Sequence, residues 1–278
     1  MLAALLIVFR EVIEAGLIVG IVLAAARGVA GRGRWVTIGI VAGVLGAALV
    51  AAFADGIANL FEGSGQELFN AAILLVAVVM LAWHTGWMAS HGREMAQEMR
   101  KVGAAVARGD KSLVALAVVV GVAVLREGSE VVLFLYGIVA SGGVSATGLV
   151  VGGLLGVAAG SAVSALMYFG LLTIHPRYLF GVTSKLIMLL AAGLASQAVA
   201  FLQQSGTIEA LATPLWNTGW LLKDSSIAGR LLKTLVGYTD SPTGMQLIAY
   251  LATIACFLAL VRWVHHRRTV TPAPVSLT

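Results

Sequence analysis

Long apolar runs separated by short polar links dominate the sequence. Seven of these runs have about the 20 residues that a helix needs to cross the hydrocarbon core of a bilayer. They predict seven transmembrane helices, which cover residues 2–26, 35–54, 66–88, 113–140, 148–174, 182–203 and 245–264. The pattern therefore predicts an all-α polytopic membrane protein, located as a multi-pass protein in the cytoplasmic (inner) membrane of the cell.

The basic residues lie on alternate links between these runs. The link 27–34 carries three Arg residues and the link 89–112 carries five Arg or Lys residues, whereas 55–65 and 141–147 carry none. Cytoplasmic links are enriched in Lys and Arg, so the pattern predicts an N-terminus outside and a C-terminus in the cytoplasm. Only 204–244 departs from the alternation, with three basic residues.

Composition narrows the class further. The 278 residues are 59% hydrophobic and 11% charged, which leaves little room for a soluble domain. The net charge of +5 comes from the basic links and the tail, so we expect the lipid bilayer, and no nucleic acid, as a partner. The single Cys256 excludes a disulfide framework within the chain.

Two short charged motifs interrupt the apolar runs. Arg10-Glu11-x-x-Glu14 lies in the first predicted span, and Arg126-Glu127-x-x-Glu130 lies in the fourth. A charge at mid-bilayer costs about 2.5–3.5 kcal/mol on insertion scales, and charges in such positions usually serve function. The repetition of one motif in two spans favours a functional role.

The motifs belong to an internal repeat. They are 116 residues apart, Gly43-x-x-Gly46 returns at 153–156, and Leu68-Phe69 returns at 179–180. Since each unit has three spans, the second unit must be inverted, which is a transporter architecture with its site at the repeat interface. The predicted organisation is a first three-helix repeat (1–88), a cytoplasmic linker and candidate amphipathic helix (89–112), a second, inverted three-helix repeat (113–203), an outer interfacial segment with a surface helix (204–244), a seventh transmembrane helix (245–264) and a cytoplasmic tail (265–278).

The motif spacing predicts a metal site. Residues i and i+3 lie on nearly one face of a helix, so the two glutamates of each motif converge, and each arginine lies i−4 to the second glutamate. We expect Arg10 and Arg126 to form supporting ion pairs and the four acids to bind a metal. Four carboxylates and two guanidiniums leave a charge of −2, which favours a hard cation such as Fe, Mn, Mg or Ca. The metal ligands predicted in this way are Glu11, Glu14, Glu127 and Glu130.

Other readings of these residues stay open. The motifs are also compatible with a structural salt-bridge network that locks two helices together. An intramembrane enzyme is disfavoured because neither motif has a nucleophile or a histidine beside it. Asp55, Glu62 and Glu67 are candidates for attracting ions at the outer mouth, or simply belong to a solvated loop. His84, close to the inner end of the third span, is a candidate exit residue or an interfacial histidine.

With these motifs, the sequence resembles the high-affinity iron permease family, also known as the oxidase-dependent iron or iron/lead transporter family, in its bacterial type. The resemblance covers residues 1–264. It rests on the two Arg-Glu-x-x-Glu motifs, the Gly-Gln-Glu-Leu-Phe run at 65–69, Leu215-Trp216, and Gly237-Tyr238 ahead of Pro242. Ser129 departs from the family pattern, in which many members have Leu before the second glutamate, and leaves the acids intact.

The resemblance implies a transporter and not an enzyme. It implies seven spans and iron uptake into the cytoplasm, with the four glutamates binding iron (Fe²⁺ or Fe³⁺) as the transported substrate and no permanent cofactor. It also implies a separate extracytoplasmic iron-binding or iron-oxidising partner. Pb²⁺ or Mn²⁺ transport and a structural scaffold are the alternatives.

Overall fold

The protein is a bundle of long helices. The computed structural model describes residues 1–60, 65–141, 144–171, 176–224 and 226–270. Within these ranges there is no β-strand, and one isolated antiparallel bridge joins Pro214 to Thr243. The helices are α1 (Leu2–Ala25), α2 (Arg32–Leu60), α3 (Gln66–Ala107), α4 (Val114–Ala140), α5 (Ala146–Tyr168), α6 (Pro176–Gln204), α7 (Ile227–Val236) and α8 (Gly244–Val270).

Several helices are long and apolar enough to cross a membrane. Over the described ranges, five stretches meet both conditions: Arg32–Ala54, Gln66–Met88, Ala146–Tyr168, Gly181–Gln204 and Gly244–Trp263. Helices α1 and α4 have 24 and 27 residues, but each contains the three charges of one motif. These helices confirm the prediction of an all-α polytopic membrane protein.

Several helix ends differ from the sequence prediction. Helix α3 has 42 residues and continues to Ala107, so most of the predicted linker 89–112 is a direct extension of the third span. Helix α5 ends at Tyr168 and not at 174, because Gly170 adopts a left-handed conformation with φ of 72°. Helix α8 extends past the predicted end at 264 to Val270.

The segment 204–244, which was predicted to lie at the outer interface, is mostly irregular, so the predicted surface helix was wrong over much of its length. Between α6 and α8, α7 is the one helix among the described residues. The remainder bonds to distant backbone groups: Thr218 N donates to Asp240 O at 2.7 Å and Leu215 N to Pro242 O at 2.9 Å. These long-range bonds satisfy the backbone polar groups without a helix.

Glycines set the closest helix contacts. Helix α1 packs on α5, and α4 packs on α2. A Cβ added to Gly156 of α5 would lie 2.8 Å from Leu5 O of α1, and one on Gly43 of α2 would lie 2.7 Å from Gly121 O of α4. Small residues at these positions let the helix backbones approach each other, as is common between membrane helices.

The two glycine contacts correspond to each other in the repeat. Leu5 and Gly121 are 116 residues apart, the same offset as the motifs, and Gly43 and Gly156 are 113 apart. In the sequence repeat, Gly43 was paired with Gly153, where an added Cβ would meet nothing within 4 Å. That alignment was wrong by three residues, because sequence similarity alone does not show which glycine faces the partner helix.

Two apolar clusters enclose the motifs along the helix axes. One cluster includes Ile7 of α1 and Phe134 of α4, and the other includes Ile18 of α1 and Val120 of α4. In each helix the motif therefore lies between a residue of the first cluster and a residue of the second. The charged side chains are confined to a layer between two layers of apolar packing.

Candidate metal site

The α1 motif forms a buried ion-pair triad. Arg10 Nη1 donates to Glu11 Oε1 at 2.8 Å, and Nη2 lies 2.9 Å from Glu14 Oε1. The Arg10 side chain is only 3% exposed. Since a guanidinium presents several donors in one plane, a single arginine can hold both carboxylates at once.

The α4 motif has the same residues in a looser arrangement. Arg126 Nε lies 3.3 Å from Glu130 Oε1 and 3.9 Å from Glu127 Oε1. Its side chain is 32% exposed, and the guanidinium carbon lies 4.0 Å from the centre of the Trp87 ring. Each arginine thus contacts the second glutamate of its motif, at the i, i+4 spacing.

His84 of α3 joins the two motifs. Its Nε2 lies 3.3 Å from Glu14 Oε2 and 3.9 Å from Glu11 Oε2, and its Nδ1 contacts Glu130 Oε2. The sequence analysis placed His84 near the inner end of a span, as a candidate exit residue. Because α3 continues as one helix to Ala107, His84 is far from a helix end and lies among the carboxylates.

Four of these residues can share one ion. One ligand atom from each of Glu11, His84, Glu127 and Glu130 lies within 4.8 Å of the other three. Ligands on opposite sides of an ion with bonds of about 2.1 Å are about 4.2 Å apart, so small side-chain shifts suffice. We call this group the four-donor site. Glu14 lies outside the four-donor site, beside Arg10 and His84.

The carboxylate oxygens of the site are poorly satisfied. Both oxygens of Glu127, as well as Oε2 of Glu11 and of Glu14, are buried with no hydrogen-bond partner among the described residues. An uncompensated charge in a low-dielectric environment is costly, and buried charges are normally paired or coordinate a metal. The free lone pairs therefore make the site suited to a cation.

Of the acids predicted at the outer mouth, Glu67 is the one whose side chain the structure describes. Glu67 is exposed in the first turn of α3, 17 residues before His84, which corresponds to about 25 Å along the helix. Glu62 and the Asp55 side chain lie outside the part of the chain that the structure describes. A role for these residues in attracting ions stays a prediction.

Sequence reasoning missed two contributors to the site, His84 as a neighbour of the glutamates and Trp87 as a neighbour of Arg126. They are three residues apart and therefore lie on one face of α3. The sequence did carry a signal for His84, because it is a polar side chain inside an apolar run, close to the depth of the two motifs.

The sequence also matches known proteins. The model of the Iron permease FTR1 family matches residues 1–265. The chain is 30% identical over 249 residues to the ferrous iron permease EfeU of Escherichia coli O157:H7, covering 87% of this chain and 88% of the relative. It is 29% identical over 254 residues to EfeU of Yersinia pestis, covering 90% of this chain and 89% of the relative.

No solved structure matches the chain. The family match nevertheless extends over nearly the whole sequence, and the relatives match over most of their own length. Several apolar helices and a buried cluster of acids with a histidine are what an iron-transporting membrane protein requires. The chain belongs to the Iron permease FTR1 family, and it is a multi-pass iron permease of the cell membrane.

Proposed function

We propose that the protein carries ferrous iron into the cytoplasm through the four-donor site. The observation that carries this proposal is the buried Glu127 carboxylate, which has no hydrogen-bond partner in the described part of the chain although it faces other acids. The ferrous state is suggested by the relatives, which are named ferrous iron permeases. We assign His84 to the ligands of the ion and no longer to its exit.

Charge and ligand chemistry support a divalent cargo. The four glutamates and two arginines of the motifs have a combined charge of −2 when His84 is neutral. Fe²⁺ would neutralise the site, whereas Fe³⁺ would leave +1. Imidazole is a good ligand for iron, and carboxylates bind hard divalent ions, so three carboxylates with one imidazole suit Fe²⁺ and also accept Mn²⁺.

We further propose that seven helices, α1 to α6 and α8, cross the membrane. The N-terminus lies outside and the C-terminus in the cytoplasm, which is supported by the basic links 27–34 and 89–112. Helices α1 and α4 are long enough to span, and pairing of their charges with one another reduces the cost of placing them in the bilayer.

The residues 1–88 and 113–203 would then form two inverted repeats. The matched contacts of Gly156 with Leu5 and of Gly43 with Gly121 support this relation. In transporters built from inverted repeats, the substrate site lies near mid-membrane at the repeat interface, and rocking of the repeats opens it to either side. The four-donor site combines residues of both repeats, as this mechanism requires.

We propose that iron reaches the outer mouth from a separate extracytoplasmic iron-binding or iron-oxidising protein. Glu67, exposed at the first turn of α3, is placed to attract the cation, with Asp55 and Glu62 as further candidates.

The test is uptake of ⁵⁵Fe into proteoliposomes, with iron kept ferrous by ascorbate or ferric by citrate. Glu127→Gln and His84→Ala should each reduce ferrous uptake by at least about tenfold. Mutating residues that only support metal ligands already lowers metal affinity or activity by about that factor. Glu98→Gln is the matched control, because Glu98 is an exposed glutamate on the extension of α3. It should transport like the native protein.

The other outcomes select the alternatives. Uptake that is unaffected by Glu127→Gln would support the alternative interpretation, in which the motifs form a structural salt-bridge network. Uptake of Mn²⁺ or Pb²⁺ in place of iron would change the cargo while keeping the site. Ferric uptake without ferrous uptake would contradict the redox state proposed above.

A further inference from the structure

The two arginines of the site differ in how firmly they are held. Arg10 is enclosed and bonds both glutamates of its motif at 2.8 and 2.9 Å. Arg126 is partly exposed, and its nearest carboxylate oxygen, on Glu130, is 3.3 Å away. Of the two arginines, Arg126 is the one for which the described residues include a second favourable neighbour, the face of the Trp87 ring.

Glu130 has two competing uses. It is one of the four ligands that can share an ion, and it is also the carboxylate that Arg126 contacts. A carboxylate engaged by a guanidinium is a poorer metal ligand, because the positive charge of the arginine repels the ion and partly neutralises the carboxylate. An ion that binds at the four-donor site must therefore weaken the contact between Arg126 and Glu130.

The Trp87 ring offers the guanidinium a place when this contact weakens. A cation within about 6 Å of an indole centre is attracted by the ring quadrupole, and Trp is the strongest aromatic partner. The guanidinium already lies 4.0 Å from the ring centre, so it needs to move very little. Arg10 has no comparable alternative among the contacts described for it.

We propose that Arg126 is the exchangeable counter-ion of the transport site, and that Trp87 is a positioning residue that holds its guanidinium while Glu130 binds the ion. This inference rests on the proposed function of the four-donor site. When the ion leaves, Arg126 returns to Glu130, neutralises it and opposes rebinding. Exchange of this kind lets a buried acidic site release its cargo.

Transport kinetics of four proteins test the proposal: the native chain, Trp87→Leu, Arg126→Gln and the double variant. Trp87→Leu should raise KM for Fe²⁺ by about two- to fivefold, since the ion-free state can compensate for the lost cation–π contact by closer pairing of Arg126 with Glu130, whereas the ion-bound state cannot. Arg126→Gln should lower KM, because the competitor is gone, and should also lower kcat, because release is slower. In the Arg126→Gln background, Trp87→Leu should have no further effect on KM.

Two control variants separate this role from a structural one. Trp87→Phe keeps an aromatic face and should restore KM to near the native value. Trp83→Leu removes a tryptophan one turn earlier on α3 that is 74% exposed, and it should leave KM and kcat unchanged. Binding of Fe²⁺ to the purified variants, measured anaerobically by titration calorimetry, should follow KM and gives a readout that does not depend on turnover.

The inference is overturned if Trp87→Leu changes KM equally with and without Arg126, which would indicate a structural role for the tryptophan. It is also overturned if Trp87→Leu leaves KM unchanged in the native background. If the proposed function is wrong, a different result is expected, because Glu127→Gln would then leave iron uptake and binding intact. The two failures are therefore distinguishable in one set of proteoliposomes.

Discussion

The motifs of α1 and α4 have the same charged residues at the same spacing, yet they lie in different surroundings. On α1 the arginine and both glutamates are almost completely buried. On α4 the arginine is one-third exposed and Glu130 is 12% exposed. The comparison shows that the same charged residues at the same spacing can form an enclosed half and a partly exposed half of one site.

The difference originates in the neighbours of each helix. Helix α1 lies against α3, α4 and α5 and also touches α6 and α7, whereas the helices packed on α4 are α1, α2 and α3. One face of α4 is consequently open, with Val118 and Val122 more than half exposed. The charges of the α1 motif are therefore paired closely with one another, whereas Arg126 lies on the less enclosed helix and makes a longer contact with its carboxylate.

The third helices of the two units differ in the same way. Helix α3 contributes His84 to the site, whereas α6, over 176–204, contains no His, Asp or Glu. The proposed repeat therefore has symmetric packing and an asymmetric ligand set.

Neutralising each arginine gives the largest expected difference between the enclosed α1 half and the partly exposed α4 half of the site. Arg10→Gln leaves two buried carboxylates without their partner and should lower the free energy of unfolding by about 3–5 kcal/mol. Arg126→Gln should lower it by a smaller amount, because the Arg126 contact with Glu130 is longer, at 3.3 Å, and Glu130 also contacts His84. Circular dichroism during unfolding in mixed SDS and detergent micelles measures both. Equal losses would contradict the comparison.

Stabilisation by the ion tests which acids belong to the four-donor site. Fe²⁺ at 100 times its Kd should stabilise the native protein by about 2.7 kcal/mol under anaerobic conditions. Glu127→Gln should lose most of this gain. Glu14→Gln should keep most of it, because Glu14 lies outside the four-donor site. An equal loss for both variants, measured by the same unfolding assay, would show that Glu14 is also a ligand.

The glycine contacts test whether both halves depend on close helix packing. Gly156→Ala and Gly43→Ala place a Cβ within 2.8 Å of a backbone oxygen, and each should destabilise the protein by about 1–3 kcal/mol. Gly153→Ala is the matched control on α5, where the added methyl meets nothing within 4 Å. It should stabilise slightly, by about 0.5–1 kcal/mol, as Ala does in helix interiors. A loss at Gly153 would contradict the observed register.

The smallest effect concerns the residue that follows the first glutamate of each motif. On α1 it is Val12, which packs against Gly160, and on α4 it is Gly128, which packs against Ala47. The large and small positions are thus exchanged between the halves. Gly128→Ala should destabilise the protein by roughly 1 kcal/mol through contact with Ala47, whose Cβ would be 2.6 Å away.

Adding Ala47→Gly should remove this contact. The double variant should then be no less stable than Ala47→Gly alone, which amounts to a coupling of about 0.5–1 kcal/mol in a double-mutant cycle. Strict additivity would show that the two positions do not touch.

Much of the fold followed from local pattern. Apolar length indicated the long helices, and the i, i+4 spacing anticipated the contacts of Arg10 with Glu14 and of Arg126 with Glu130. The segment 204–244 was harder to predict, because its backbone groups bond to residues 22 to 33 positions away. Propensity describes a residue and its near neighbours, and such long-range bonds override it.

The sequence by itself determined the membrane class, the two charged motifs and their 116-residue offset, because these depend on composition and on spacing within one helix. Tertiary structure decided which side chains meet. It brought His84 to the glutamates, aligned Gly43 with Gly156, and buried Arg10 while leaving Arg126 partly exposed. The physical reason is that helical periodicity states which residues share a face, and only packing decides what that face contacts.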